Sequence, residues 1–111
     1  MENIEALLNL IDEACEYLVQ GDMRKYSYKA QQILDSCFVE FPKIIVAYSD
    51  AKMADIADEA TYWPSQLERI INAINDNDRF KIFDILRCET RENLSYIMNE
   101  MLNRGVKYGN V

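Results

Sequence analysis

The sequence predicts an all-α protein, an antiparallel bundle of four or five helices, and three observations carry that prediction. Breakers are scarce: the 111 residues include three glycines and two prolines, and two of the glycines fall within the last seven positions. Apolar residues recur at three- and four-residue steps over long stretches, which is the helical period. The one β-branched run, Ile44-Ile45-Val46, has no partner strand elsewhere, and an isolated strand would leave its backbone groups unpaired.

Helix 1 is expected over about residues 3–20, with Ile4, Leu7, Leu8, Ile11, Ala14, Cys15, Leu18 and Val19 on one stripe. Gly21 ends it and Asp22 caps helix 2, expected over about 23–41 with Tyr26, Ala30, Ile33, Leu34, Cys37, Phe38 and Phe41 inward. Pro42 predicts a boundary or kink, since proline lacks an N–H and restricts the residue before it. Helix 3 follows over about 43–60, and Thr61-Tyr62-Trp63-Pro64 breaks or bends the chain. Ser65 with Glu68 has capping-box spacing for helix 4, which ends near residue 76. Asn75-Asp76-Asn77-Asp78 is a polar turn, and Asp78 caps helix 5, expected over about 79–104 with a bend or break in its polar middle, Glu89–Asn93. Gly105 is a C-terminal cap. Residues 1–105 thus form one domain and 106–111 a frayed tail.

A weak internal repeat lies at an offset of 56: Ile11–Asp22 over Leu67–Asp78, and Lys25 over Lys81. It points to two repeated helical hairpins, although any two helical hairpins share this much.

The charge excludes several function classes. Nineteen acids against twelve bases give a net charge of −7, which opposes binding to nucleic acid phosphates and to anionic membranes. No run of 18 apolar residues exists, and MENIEALLNLIDEACEYL lacks the positive region of a secretory signal, so no membrane partner and a cytoplasmic location are expected. Three scattered cysteines fit a reducing compartment. The absence of histidine removes the commonest general base, Cys–His and Ser–His nucleophile pairs and most catalytic zinc sites. No phosphate-binding loop occurs. No catalytic residue, metal site or cofactor is therefore assigned.

The remaining candidates are few. Cys15 and Cys37 lie on apolar stripes and are expected in the core, whereas Cys88 sits between Arg87 and Arg91, which could activate it, but has no base beside it. Asp55 and Glu59, four apart on one helical face, could hold a hard cation or simply be solvated. Asp76-Asn77-Asp78 begins like a calcium loop, but Phe80 stands where an oxygen ligand belongs. Charge is uneven: residues 1–60 hold 12 acids and 5 bases, and residues 61–111 hold 7 of each. Asp12, Glu13 and Glu16 on helix 1, with Tyr62-Trp63 in a connection, are therefore the expected partner-binding residues. Reversing the three acids to lysine is expected to leave the fold largely intact.

The stretch Asn75–Leu94, through Asp84-Ile85-Leu86 and Glu89, resembles a hairpin pattern in uncharacterised small bacterial helical proteins, with Glu92 where those carry proline. The resemblance implies a helical fold and brings no activity with it. Flagellar export chaperones are similar in size and acidity but share no motif. The expected function is a non-enzymatic cytosolic interaction protein, an adaptor, chaperone-like binder or homo-oligomer. The alternative is a small-molecule or metal-binding bundle using Asp55, Glu59, Asp84 and Glu89.

Overall fold

The structure is a computed structural model that describes residues 2–108. Four helical rods follow one another: α1 (Glu2–Gln20), α2 (Met23–Asp50), α3 (Ile56–Asp76), and a composite rod in which α4 (Arg79–Phe83), a π-helical turn (Asp84–Thr90) and α5 (Arg91–Asn103) run on without a break. Each rod packs against its neighbours in sequence, and the composite rod closes the ring on α1. The diagonal pairs, α1 with α3 and α2 with the composite rod, make no close backbone approach. The result is an all-α four-helix bundle with up-down-up-down connections. Its longest dimension, 42 Å, matches a 28-residue helix at about 1.5 Å per residue, so α2 spans the molecule.

The expected boundary at Pro42 does not occur: helix 2 and helix 3 of the sequence reading are one helix as far as Asp50. Nor does the break at Thr61–Pro64, since α3 runs through Pro64 and Ser65 lies inside it rather than capping it. Both prolines are exposed, and the carbonyls they deprive of a donor belong to Phe38 and Ala60, which are also exposed and can turn to water. The opposite face holds each helix in place. Phe41 and Ile44 are buried beside Pro42, and Trp63 and Gln66 beside Pro64. Phe41 packs on the Trp63 ring at 4.6 Å between centroids, tying the two proline-bearing segments together.

The chain turns instead at Ala51–Asp55. Lys52 adopts a left-handed conformation (φ 53°), its N–H bonds to Ser49 O, and the Met53 N–H bonds to Tyr48 O while the Met53 side chain is buried. This is the Schellman closure that Gly21 and Gly105 make, as expected, at the ends of α1 and α5. Asp22 and Asp78 cap as expected, Asp22 accepting from the Lys25 N–H and Asp78 from the Phe80 and Lys81 N–H groups.

The repeat register reappears in the elements. Gly21 and Asn77 are both left-handed, Asp22 and Asp78 are both caps, and α2 and α4 begin 56 residues apart. Buried positions keep that spacing at first, with Tyr26 matching Ile82 and Ala30 matching Leu86. Beyond the π turn the spacing is 57: Ile33 matches Thr90, Cys37 matches Leu94 and Ile44 matches Met101. A π turn accommodates one extra residue without rotating the helix beyond it. The polar middle of helix 5 is therefore an inserted residue absorbed in place, not a break. Thr90 seals the turn by donating its hydroxyl to Ile85 O and accepting from Gln66 Nε2.

Val106 and Tyr108 pack back on the core rather than fraying, and the Tyr108 hydroxyl is shared between Glu40 Oε1 (2.9 Å) and Glu40 O (3.1 Å) on α2. Residues 109–111 of the expected tail lie outside the described residues.

Candidate functional site

Two of the five acids of α1, Asp12 and Glu13, meet cations from neighbouring helices. Asp12 takes a two-pronged contact from Arg91, 2.6 Å from Nε and 3.1 Å from Nη2, with Arg87 Nη1 at 3.5 Å. Glu13 meets Lys29 Nζ at 2.6 Å. Glu16 accepts from Gln20 at 3.4 Å and stays exposed. Part of the acidity of α1 is thus balanced by cations from α2 and the composite rod. Reversing Asp12 and Glu13 would set lysine against arginine and lysine, so the expectation that the fold tolerates it gives way to one of destabilisation.

Trp63 is 0 % exposed, at the centre of the core, and Tyr62 is half-buried beside it with their rings edge to face. The two groups of expected partner-binding residues lie on different sides of α5. Arg91 reaches Asp12 on α1, and Asn93, about 200° further round the helix, donates to the Tyr62 hydroxyl on α3.

Between α3 and α5, whose backbones make no close approach, there is a cleft of about 220 Å³ lined by Asp58, Glu59, Tyr62, Trp63, Asn93, Tyr96 and Ile97. Helical spacing builds it: residues 58 and 62, and 59 and 63, are four apart on α3, while residues 93, 96 and 97 share a face of α5. The Trp63 indole N–H donates to Glu59 Oε2 at 2.5 Å. Burial raises the Glu59 carboxyl above the ordinary glutamate range, the indole hydrogen bond opposing this and Asp55 and Asp58 adding to it. Burial also raises Tyr62. Next to this end of the bundle, Tyr48 is 0 % exposed and its hydroxyl has no hydrogen-bond partner. It is raised by burial and by the charges of Glu59, Asp55 and Glu100. The sequence places Asp58 in a cluster of carboxylates and Tyr96 among surplus tyrosines, but assigns neither of them, nor Asn93, to a site. The available signal was that Tyr96 stands off the Leu94–Ile97–Met101 stripe.

The four carboxylates considered for a ligand or metal are dispersed in their bonding. Glu59 serves Trp63, Glu89 pairs with Arg69 at 2.8 Å and accepts from Gln66, and Asp55 and Asp84 are exposed. Among the described residues no group of three His, Cys, Asp or Glu side chains is placed to hold a metal ion. Cys15 and Cys37 are buried, and burial pushes their thiols up to about 11 and about 12. Cys88 is exposed. A second, larger groove of about 720 Å³ lies between the end of α2 and Arg104–Lys107. Its charged lining residues are Lys43, Asp50, Arg104 and Lys107.

Among the described residues no helix is long and apolar enough to cross a membrane. Comparison with protein-family models, with curated proteins and with solved structures gave no match.

Proposed function

We propose that the protein is a non-enzymatic interaction module of the cytoplasm that assembles with a second copy of itself through the solvent face of α2. The observation that carries this reading is a stripe of exposed apolar side chains on that helix: Tyr28, Phe38, Val39, Pro42 and Val46. Their spacing keeps them on one side of α2 over about 27 Å. Large exposed apolar side chains gathered on one element mark an interaction surface more than scattered ones do.

Charge selects the occupant. Asp35 and Lys43 stand four residues either side of Val39 and are symmetric about it around the helix. An antiparallel pairing of α2 with its copy, on a two-fold axis beside Val39, sets each Asp35 level with the other copy's Lys43. Lys43 is free to take part, since its contact with Glu40 is long, at 4.0 Å. Such an interface is self-complementary, as two-fold symmetry requires. The unpaired cysteines and the absence of a membrane-crossing helix support a place in the cytoplasm. Kinship with the small bacterial helical proteins belongs to the proposal at the level of fold alone.

Light scattering on size-exclusion fractions across a range of concentrations tests this. A dimer is expected, with Val39→Glu monomeric and Lys43→Asp weakened. Combining Lys43→Asp with Asp35→Lys should restore the dimer. A strict monomer at every concentration, or a dimer indifferent to all these changes, overturns the reading.

A further inference from the structure

We infer that the cleft between α3 and α5 is a binding site for an organic cation, the guanidinium or ammonium head of a basic side chain on a partner polypeptide. This goes beyond self-association, and the site lies on other helices than the α2 face.

Two independent features converge. The first is a set of carboxylates without ion-pair partners, in the first turn of α3 where the helix dipole offsets only part of their charge. Asp58 and Glu59 line the cleft, Asp55 stands one helical turn away, and none of the three is in an ion pair among the described residues. No lysine or arginine lines the cleft. The contrast with Asp12 and Glu13, which hold arginine and lysine, is direct. The second is the wall material. Tyr62 and Tyr96 present two phenol rings, and Tyr96 is 61 % exposed although it belongs to a helix whose other large apolar side chains mostly turn inward. Aromatic faces attract cations and do not attract anions.

The chemistry selects an organic cation over a metal ion. Among the described residues no group of three His, Cys, Asp or Glu side chains is placed to hold a metal ion, and neutral phenols are poor ligands for a hard cation such as calcium. A volume of about 220 Å³ holds about seven waters at about 30 Å³ each, room for the end of one basic side chain. Glu59 Oε1 and the Asp58 carboxylate would accept from it, and the Asn93 carbonyl oxygen stands nearby as a neutral acceptor.

The test uses nitrogen-15-labelled protein at low ionic strength, titrated with N-acetyl-arginine methylamide. Its uncharged isostere N-acetyl-citrulline methylamide is the control. Trp63 is the sole tryptophan, so its indole N–H is a single resolved reporter, and the Asn93 side-chain amide is a second. The expected result is a saturable shift of both signals with arginine and none with citrulline. Asp58→Asn and Tyr96→Leu, both at exposed positions, should each weaken binding by about tenfold without lowering thermal stability, whereas Asp84→Asn outside the cleft should leave it unchanged. Absence of a saturable shift, an equal response to citrulline, or an equal response to calcium chloride would overturn the inference. Because the stripe on α2 is untouched, the oligomeric state of these variants separates failure here from failure of the dimer.

Discussion

Glu59 carries a carboxylate that the fold has partly dried, and its titration has a sign that can be worked out. Burial raises it above the ordinary value, so across the interval between the ordinary and the raised value the folded state holds more protons than the unfolded chain. Stability therefore falls as pH rises through that interval and stays lower above it. Glu59→Gln removes the charge yet keeps an oxygen for the Trp63 indole. We expect a higher melting temperature than wild type at pH 7, with the gap closing as pH is lowered to about 4, below the ordinary glutamate value. A functional carboxylate held at some cost in stability is the usual trade at binding sites. Tyr108 poses the opposite case. Its hydroxyl is the hydrogen-bond donor for the buried carboxylate of Glu40, and Tyr108→Phe would keep the ring while leaving that acceptor short of a partner. The expected loss is about 1–3 kcal/mol in urea unfolding. The thiols differ in burial: a chromogenic disulfide reagent should titrate Cys88 quickly in the native protein, and Cys15 and Cys37 only on unfolding.

At the scale of elements, the sequence showed helix content, the two hairpin turns and the caps, and it misplaced the joint between the hairpins. The reason lies in which residues signal a helix end. Gly21, Asn77 and Gly105 announce left-handed positions by their chemistry, whereas the same position between α2 and α3 is filled by lysine. The stop is made by Met53 burying itself against the helix it has just left, a tertiary event with no local sign. Conversely Pro42 and Pro64, the strongest local breakers, are overruled by Phe41, Ile44, Trp63 and Gln66 packing beside them. It follows that Lys52→Gly should stabilise the protein by about 1 kcal/mol, because glycine occupies the left-handed region without the Cβ strain of lysine. Chemical denaturation measures this, and Asn77→Gly should gain less, since asparagine tolerates that region. The π turn gives a second prediction. Deleting the exposed Cys88 would convert it to regular α-helix and leave both flanks in register, so the variant should fold with unchanged helix content by circular dichroism. Deleting Glu16 from α1 would instead rotate everything on one side by about 100° and should abolish the cooperative transition.

Over the whole molecule, charge is organised in two ways that a linear reading could not separate. The count by halves located the negative charge correctly in the first 60 residues, but not its disposition, because the cations that answer Asp12 come from Arg87 and Arg91, some 75 to 79 positions away. Likewise Asp58 and Tyr96 are 38 residues apart, and only the packing of α3 on the composite rod brings them to one cleft. Asp12 ties α1 to the composite rod and Glu13 ties it to α2, whereas Asp55, Asp58 and Glu59 at the start of α3 have no ion-pair partner among the described residues. The two populations should respond differently to neutralisation. Asp12→Asn leaves Arg91 without its two-pronged partner, and its hydrogen bonds are the main reason the guanidinium is held more firmly protonated than usual. Since that carboxylate is about two-fifths exposed, screening by water limits the loss to about 1 kcal/mol. The loss should shrink as sodium chloride is raised, because salt weakens the wild-type pair while leaving the variant nearly unaffected. Asp12→Lys should cost more, since it adds repulsion from Arg87 and Arg91. Asp58→Asn, by contrast, relieves repulsion among Asp55, Asp58 and Glu59 and should leave stability equal or slightly raised at low salt. Thermal melts of the three variants at low and high salt measure both effects. Were Asp12→Asn as harmless as Asp58→Asn, the ion pairs across α1 and α5 would not be what closes the bundle.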